Sequence, residues 1–179
     1  MKNLNIKKLL FAIVMSLLIL PINIYAEANT NDVNKRAQAI IKTADKKLFF
    51  GESKDFTKRL NAYRKSKGVP AIKETKELND VAKARCIEEL NKYIKTGDAD
   101  HESPSNINEF FAENLRMGKF QAEKPYKSVE EYSLNRWMNS EAHNDNLIDK
   151  EYKSIGYASV TKTIDGVTYE ISIYVADFE

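Results

Sequence analysis

The sequence predicts an α+β domain, with helices first and a β-hairpin last. Apolar residues recur at helical spacing in successive segments between Thr30 and Ser140. The period then changes to two in the C-terminal third, where β-branched and aromatic residues dominate. Asp165-Gly166 separates two such runs as a hairpin turn.

From Thr30 to Phe50, Val33, Ala37, Ile40, Ile41, Ala44 and Leu48 fall on one face of a helix, which is expected to pack back on the domain. Gly51 breaks this pattern. Ser53 is the expected N-cap of a second helix carrying Phe56, Leu60 and Tyr63 on one face, stopped by Gly68-Val-Pro70. A third helix starts near Thr75, runs through Leu78, Val81, Ala82, Arg85, Cys86, Glu89 and Tyr93, and stops at Thr96-Gly97. The fourth is expected over Ser128 to Ser140, with Ser128 and Glu131 in the reciprocal capping arrangement. Ser154 to Val160 and Val167 to Phe178 then form the hairpin, the second strand alternating an apolar face with a mixed one.

The first residues read as an address. Lys2, Lys7 and Lys8 precede the apolar run Leu9 to Leu20, followed by Pro21 and by small residues suited to cleavage after Ala26 or Ala28. Residues 1–26 are thus expected to be a signal peptide, 27–52 an N-terminal amphipathic helical extension and 53–179 the folded domain. Export to the medium or the cell surface follows, and contact with a membrane is expected only through the leader. The whole chain has 28 basic and 26 acidic residues, and removing the three leader lysines leaves 25 against 26. No basic stripe remains, which excludes a nucleic-acid binder. Cys86 is alone, so no disulfide can form within the chain, and the thiol reads as a small buried apolar group.

The sequence has two histidines, each inside a polar cluster: Asp98-Ala-Asp-His-Glu-Ser-Pro104 and Arg136-Trp-Met-Asn-Ser-Glu-Ala-His-Asn-Asp-Asn146. If the fold joins these clusters, His101 and His143 supply a site for a divalent cation such as Zn²⁺. Without metal they make a pH-responsive hydrogen-bond cluster. Each cluster could equally serve to order a loop. Ser103 and Ser140 stand near the histidines, but neither lies in a nucleophile elbow.

Leu60-Asn-Ala-Tyr-Arg64 with Gly68, the Leu78 to Leu90 helix, Asp100-His-Glu-Ser-Pro104, Ala112-Glu-Asn-Leu115, Trp137-Met-Asn-Ser-Glu-Ala-His143 with Asn146, and Tyr152-Lys-Ser-Ile-Gly156 occur in this order. Together they resemble the motifs of the CAP superfamily: cysteine-rich secretory proteins, antigen-five proteins and pathogenesis-related-one proteins. The disulfide-free chain is similar to the bacterial branch. The resemblance covers about residues 55 to 178 and implies a three-layer α-β-α sandwich with a central antiparallel sheet.

The resemblance also implies a cavity lined by two His and two acidic residues. His101, Glu113 and His143 match three of its positions. Glu141 is the candidate for the fourth, with Glu130 and Glu131 farther upstream on the preceding helix. The function implied is a secreted or cell-surface binding module, taking a divalent metal at His101 and His143 and having a small apolar ligand (a lipid or sterol) or a host or cell-envelope protein as partner. A metal-dependent hydrolase and a purely structural surface protein are the alternatives. Phe110, Phe111, Tyr126 and Tyr132 are aromatics that could line a groove beside the cavity or belong to the core.

Overall fold

The structure is a computed structural model that describes residues 21–107, 111–121 and 124–178. The expected leader up to residue 20, and Phe110, lie outside the described residues. The chain divides into two compact units, residues 1–33 and 34–179, and the sheet with its covering helices belongs to the second. In chain order the elements are α1 (Pro21–Thr43), β1 (Phe49–Phe50), α2 (Ser53–Ser66), β2 (Lys73–Glu74), α3 (Lys76–Thr96), β3 (Ala112–Phe120), α4 (Val129–Met138), α5 (Glu141–Ile148), β4 (Ser154–Ile164) and β5 (Val167–Asp177).

The hairpin forms where its turn residues predict it. Asp165 (φ 50°) and Gly166 (φ 79°) are both left-handed, the requirement of a two-residue turn that matches strand twist. β4 and β5 pair from Ser154↔Asp177 to Ile164↔Val167. On the other side of β5 runs β3, antiparallel from Ala112↔Ala176 to Phe120↔Thr168. The far edge of β4 is shared by β1, antiparallel at Thr161 and Val160, and β2, parallel at Ser154 and Ile155. The order β1-β4-β5-β3 leaves β3 as a terminal strand.

Helix α3 lies on one face of β4 and β5, and α2, α4 and α5 gather on the other. This is the expected α-β-α layering. On the α3 side, Gly156 is required by close approach: a Cβ there would stand 2.1 Å from the Leu78 backbone. The opposite core joins Phe56, Leu60, Leu134, Trp137, Leu147, Ile155, Tyr157 and Tyr174. Phe56 stacks on Tyr157 at 4.0 Å and meets Trp137 edge-on at 5.8 Å, contacts worth about 0.5–1.5 kcal/mol each beyond burial. Both faces of β5 are covered, so its mixed face, including Glu170 and Ser172, is as buried as its apolar one.

Helix α3 starts and stops as predicted: Thr75 Oγ1 accepts from Leu78 N at 3.2 Å, and Gly97 closes the helix at φ 81°. Three readings need correction. The N-terminal helix ends at Thr43, not near Phe50, because the Asp45 carboxylate accepts from Lys47 N to make a turn and Phe49-Phe50 pairs with β4. Glu52, not Ser53, occupies the N-cap of α2, and no side chain caps it. Ser128 does cap α4 through Glu131 N, but the reciprocal bond is absent because the Glu131 carboxylate accepts from Arg59 instead. That helix ends at Met138, and a separate α5 follows.

The motif residues of α2 act as staples. Asn61 both donates to the Ile72 carbonyl (2.9 Å) and accepts from Ile72 N (2.8 Å). Tyr63 donates to Asn144 Oδ1 at 2.6 Å. The buried Arg64 guanidinium donates to the carbonyls of Pro70, Leu147 and Asp149, satisfying the C-terminal end of α5. The C-terminal part of α1 docks as expected: Ala37 is buried and Arg36 Nη1 donates to the Ser105 carbonyl at 2.8 Å.

Candidate functional site at the edge strand

The site is built around two adjacent residues of β3. Successive side chains on a strand point to opposite faces. Glu113 therefore turns toward α3 and Asn114 toward α5. Glu113 Oε1 lies 2.9 Å from His101 Nδ1. Asn114 is fully buried, donates to the His143 carbonyl at 2.9 Å and accepts from Asn146 Nδ2 at 2.9 Å. Asn146 is fixed in turn, its carbonyl accepting from Tyr174. One dipeptide thus holds both histidine segments, one from each helical layer, at the terminal strand of the sheet.

Beneath Glu113 lies Arg85, which the sequence reading did not single out as a site residue. Its guanidinium is fully buried. Nε donates to Glu113 Oε2 at 2.8 Å and Nη2 to Glu113 Oε1 at 3.2 Å, a bidentate grip. Nη1 reaches Glu88 at 3.0 Å and Glu89 at 2.9 Å. The remaining bonds go to the carbonyls of Asp100 and Glu102, which flank His101. Arg85 therefore anchors the loop as well as the carboxylate. A signal was present in the sequence: Arg85 and Glu89 fall on the same buried stripe as Ala82 and Cys86, where charged residues occur only when paired.

The electrostatics follow from this arrangement. Three carboxylates face one guanidinium, leaving an excess of negative charge. Burial acts to raise the Glu113 carboxyl, but hydrogen bonds from His101 and Arg85 outweigh it and hold the group below its ordinary value. His101 is raised, chiefly by its bond to Glu113. His143 is lowered, chiefly by desolvation and then by the charge on His101. Burial raises Glu89.

The rings differ in setting. The His101 side chain is 58% exposed above a Glu113 side chain that is 4% exposed. His143 is half-buried, its Nδ1 2.8 Å from Ser140 Oγ. Ser103 is spent on structure, donating to Glu88 and accepting from Ile107 N. Glu141 stands exposed in the first turn of α5. The upstream acids lie elsewhere: Glu130 accepts from Glu52 N and Ser128 Oγ, and Glu131 from Arg59. Among the described residues no group of three His, Cys, Asp or Glu side chains has the spacing to hold a metal ion. Cys86 is buried as expected, its thiol donating to the Ala158 carbonyl at 3.3 Å.

Tyr126 and Tyr132 do not join this site. They stack on each other at 4.3 Å beside Arg116 and line a separate cavity of about 290 Å³ with Lys127, Ser128, Glu131 and Asn135.

An α-β-α sandwich whose edge strand carries Glu113, paired with His101 of the preceding loop, and Asn114, bonded to the His143 carbonyl of α5, defines a class of domain, and a family profile matches it. The profile described as the cysteine-rich secretory protein family (CAP) matches residues 57–178, and the chain belongs to that family. It does so with a single cysteine. Among solved structures the chain is similar to an outer surface protein from Borrelia burgdorferi, with 18% identity and a TM-score of 0.48 over 70% of this chain and 92% of that one. It is also similar to an extracellular protein containing an SCP domain from Bacillus anthracis, with 16% identity and a TM-score of 0.45 over 69% of this chain and 39% of that one. A cysteine-rich secretory protein from Staphylococcus aureus gives 17% identity and a TM-score of 0.43 over 68% and 36% of the two chains. No match was found among curated protein sequences. Among the described residues no helix is long and apolar enough to cross a membrane.

Proposed function

We propose that this is an exported binding module whose recognition site is the His101–Glu113 pair together with His143. The observation that carries the reading is the exposed His101 ring fixed through Nδ1 to a buried carboxylate that Arg85 locks from beneath. Such a ring presents a defined nitrogen to a ligand at little entropic cost. Export rests on the leader-like N-terminus and on the family's secretory description.

The site's chemistry suits a divalent cation held by the two imidazoles. A neutral His101 that donates a hydrogen bond from Nδ1–H to Glu113 carries its lone pair on Nε2, the carboxylate–histidine arrangement that orients a metal ligand. Glu113 then acts as the orienting carboxylate, since both its oxygens already accept from Arg85. His143 can do the same by donating Nδ1–H to Ser140 Oγ. A bound cation would supply an open coordination position for a ligand donor.

The test is calorimetric titration of Zn²⁺ into the metal-free protein beside the His101→Ala/His143→Ala double variant. Uptake by the parent alone supports the reading. Uptake by neither sinks the metal and moves the search to lipid and cell-envelope protein ligands at the same surface.

A hydrolase reading draws on one observation, the 2.8 Å contact between Ser140 Oγ and His143 Nδ1. In the opposite tautomer Ser140 donates to a neutral His143, which is how a base activates a hydroxyl. A serine-directed fluorophosphonate separates the two: labelling of the parent that Ser140→Ala abolishes supports hydrolysis, and an unlabelled parent removes it.

A further inference from the structure

We infer that the Phe49–Phe50 strand, with Lys46 and Lys47 in the turn before it, is a contact surface for an anionic lipid bilayer. Phe49 is 73% exposed and Phe50 40%, two neighbouring aromatic side chains on one short strand. Nothing in the strand's own pairing needs them outside. β1 is held by its backbone, opposite Thr161 and Val160, with Gly51 N donating to the Ser159 carbonyl at 3.0 Å. The two rings leave β1 on opposite faces, as successive strand side chains do, so they flank the sheet edge itself, at the opposite end of the sheet order from β3, and it is this edge that meets the bilayer.

Charge selects the occupant. Lys46 and Lys47 are exposed. The acid in their turn, Asp45, is already matched by Lys162 Nζ at 3.0 Å and held ionised chiefly by the Lys47 amide. Counting Lys46, Lys47 and Lys162 against Asp45, two positive charges remain beside the rings; farther along, Glu52 and Lys54 offset each other. Exposed aromatics flanked by lysines match the headgroup–acyl boundary, where rings bury and ammonium groups stay with anionic headgroups. The sequence reading assigned membrane contact to the leader alone; this surface adds a second, reversible one that survives the leader's removal.

The test uses the chain from Glu27, which contains the compact unit 34–179, and excludes the apolar leader that would itself enter vesicles. Co-sedimentation is measured with vesicles of phosphatidylcholine containing phosphatidylglycerol, and with phosphatidylcholine alone. The parent should partition onto the anionic vesicles, weakly onto the neutral ones, and less as salt rises. Lys46→Glu/Lys47→Glu should lose at least about fivefold per charge removed, and Phe49→Ser/Phe50→Ser at least about tenfold. Thermal melts of the lysine variant should match the parent; a drop in the Phe variant comes from Phe50, only 40% exposed, and Phe49→Ser alone then carries the comparison. Sedimentation equal in parent and Phe variant overturns the inference. So does an absence of sedimentation, and so does a Phe-dependent self-association in solution without vesicle binding, which would make a second copy the occupant.

Discussion

The two faces of the sheet each bury an ionic cluster, and the two are built with opposite sign. On the α3 face one guanidinium, Arg85, is enclosed by Glu88, Glu89 and Glu113. On the α4 face one carboxylate, Glu170, is enclosed by Arg116, Lys124 and the Tyr126 hydroxyl. The α4 cluster is satisfied internally: Arg116 also donates to Ser133 and Ser172 and lies against the rings of Tyr126 and Tyr132. The α3 cluster has more carboxylate than cation, and its excess is exported to the surface through His101. A buried ionic cluster becomes a functional candidate when its surplus charge is itself buried, as the surplus carboxylates around Arg85 are; the surplus cation of the α4 cluster, Lys124, has a third of its side chain in solvent. In a family described as cysteine-rich, this chain has no disulfide to form, and these clusters, with the Asn114 bonds to His143 and Asn146, tie β3 to its neighbours.

Breaking Arg85 tests that contrast most severely. Arg85→Met should lower stability by about 3–5 kcal/mol, because three carboxylates are left without a counter-ion in low dielectric. Urea unfolding measures it, and a loss below about 1 kcal/mol would contradict the account. Glu170→Gln should cost less, about 2–3 kcal/mol, since Lys124, with a third of its side chain exposed, can return to water while Arg116 keeps its serine and ring contacts. A larger loss for Glu170 than for Arg85 would reverse the ranking of the two clusters.

Both clusters depend on β3, the element least legible in the sequence. The β4–β5 hairpin was readable because its turn residues and alternation are local signals, and α3 because its cap, its apolar stripe and Gly97 agree. β3 has Asn114 and Arg116 at buried positions, so apolar alternation, the usual mark of a strand, is missing. Its side chains are polar because they tie layers together. His101, Glu113 and His143 were found through motif resemblance and are linked by Glu113-Asn114 as described. Arg85 was missed as a site residue because a charge on a buried helical stripe gains meaning only once its distant partners, Glu113 and the loop carbonyls, are in place. The end of α1 was misjudged because an Asx turn at Asp45 outcompeted a continuing apolar period.

A surface pair on the same layer as the Glu170 cluster sets the scale for charge without burial. Arg59 reaches Glu131 at 2.8 Å, but the Glu131 side chain is more than half exposed. Glu131→Ala should change stability by no more than about 1 kcal/mol, and thermal melts should place it close to the parent. If it matched Arg85→Met, burial would not be what separates the clusters from a surface pair.

The subtlest difference is one of pH. His101 is raised by Glu113, so its contribution is fully present below the ordinary histidine value of 6.5 and is lost as pH rises through its folded value. His143 is lowered by desolvation, so its contribution is present above 6.5 and is lost as pH falls through its folded value. Between them the two rings should give a shallow stability maximum near pH 6.5, read from urea midpoints in the presence of a chelator. His143→Ala should remove the rising limb below that pH and leave the falling one. His101→Ala should remove the falling limb and also flatten the rising one, because the charge on His101 is part of what holds His143 down. If each substitution left the other limb untouched, the rings would not be coupled and the two clusters of the sequence would not form one site.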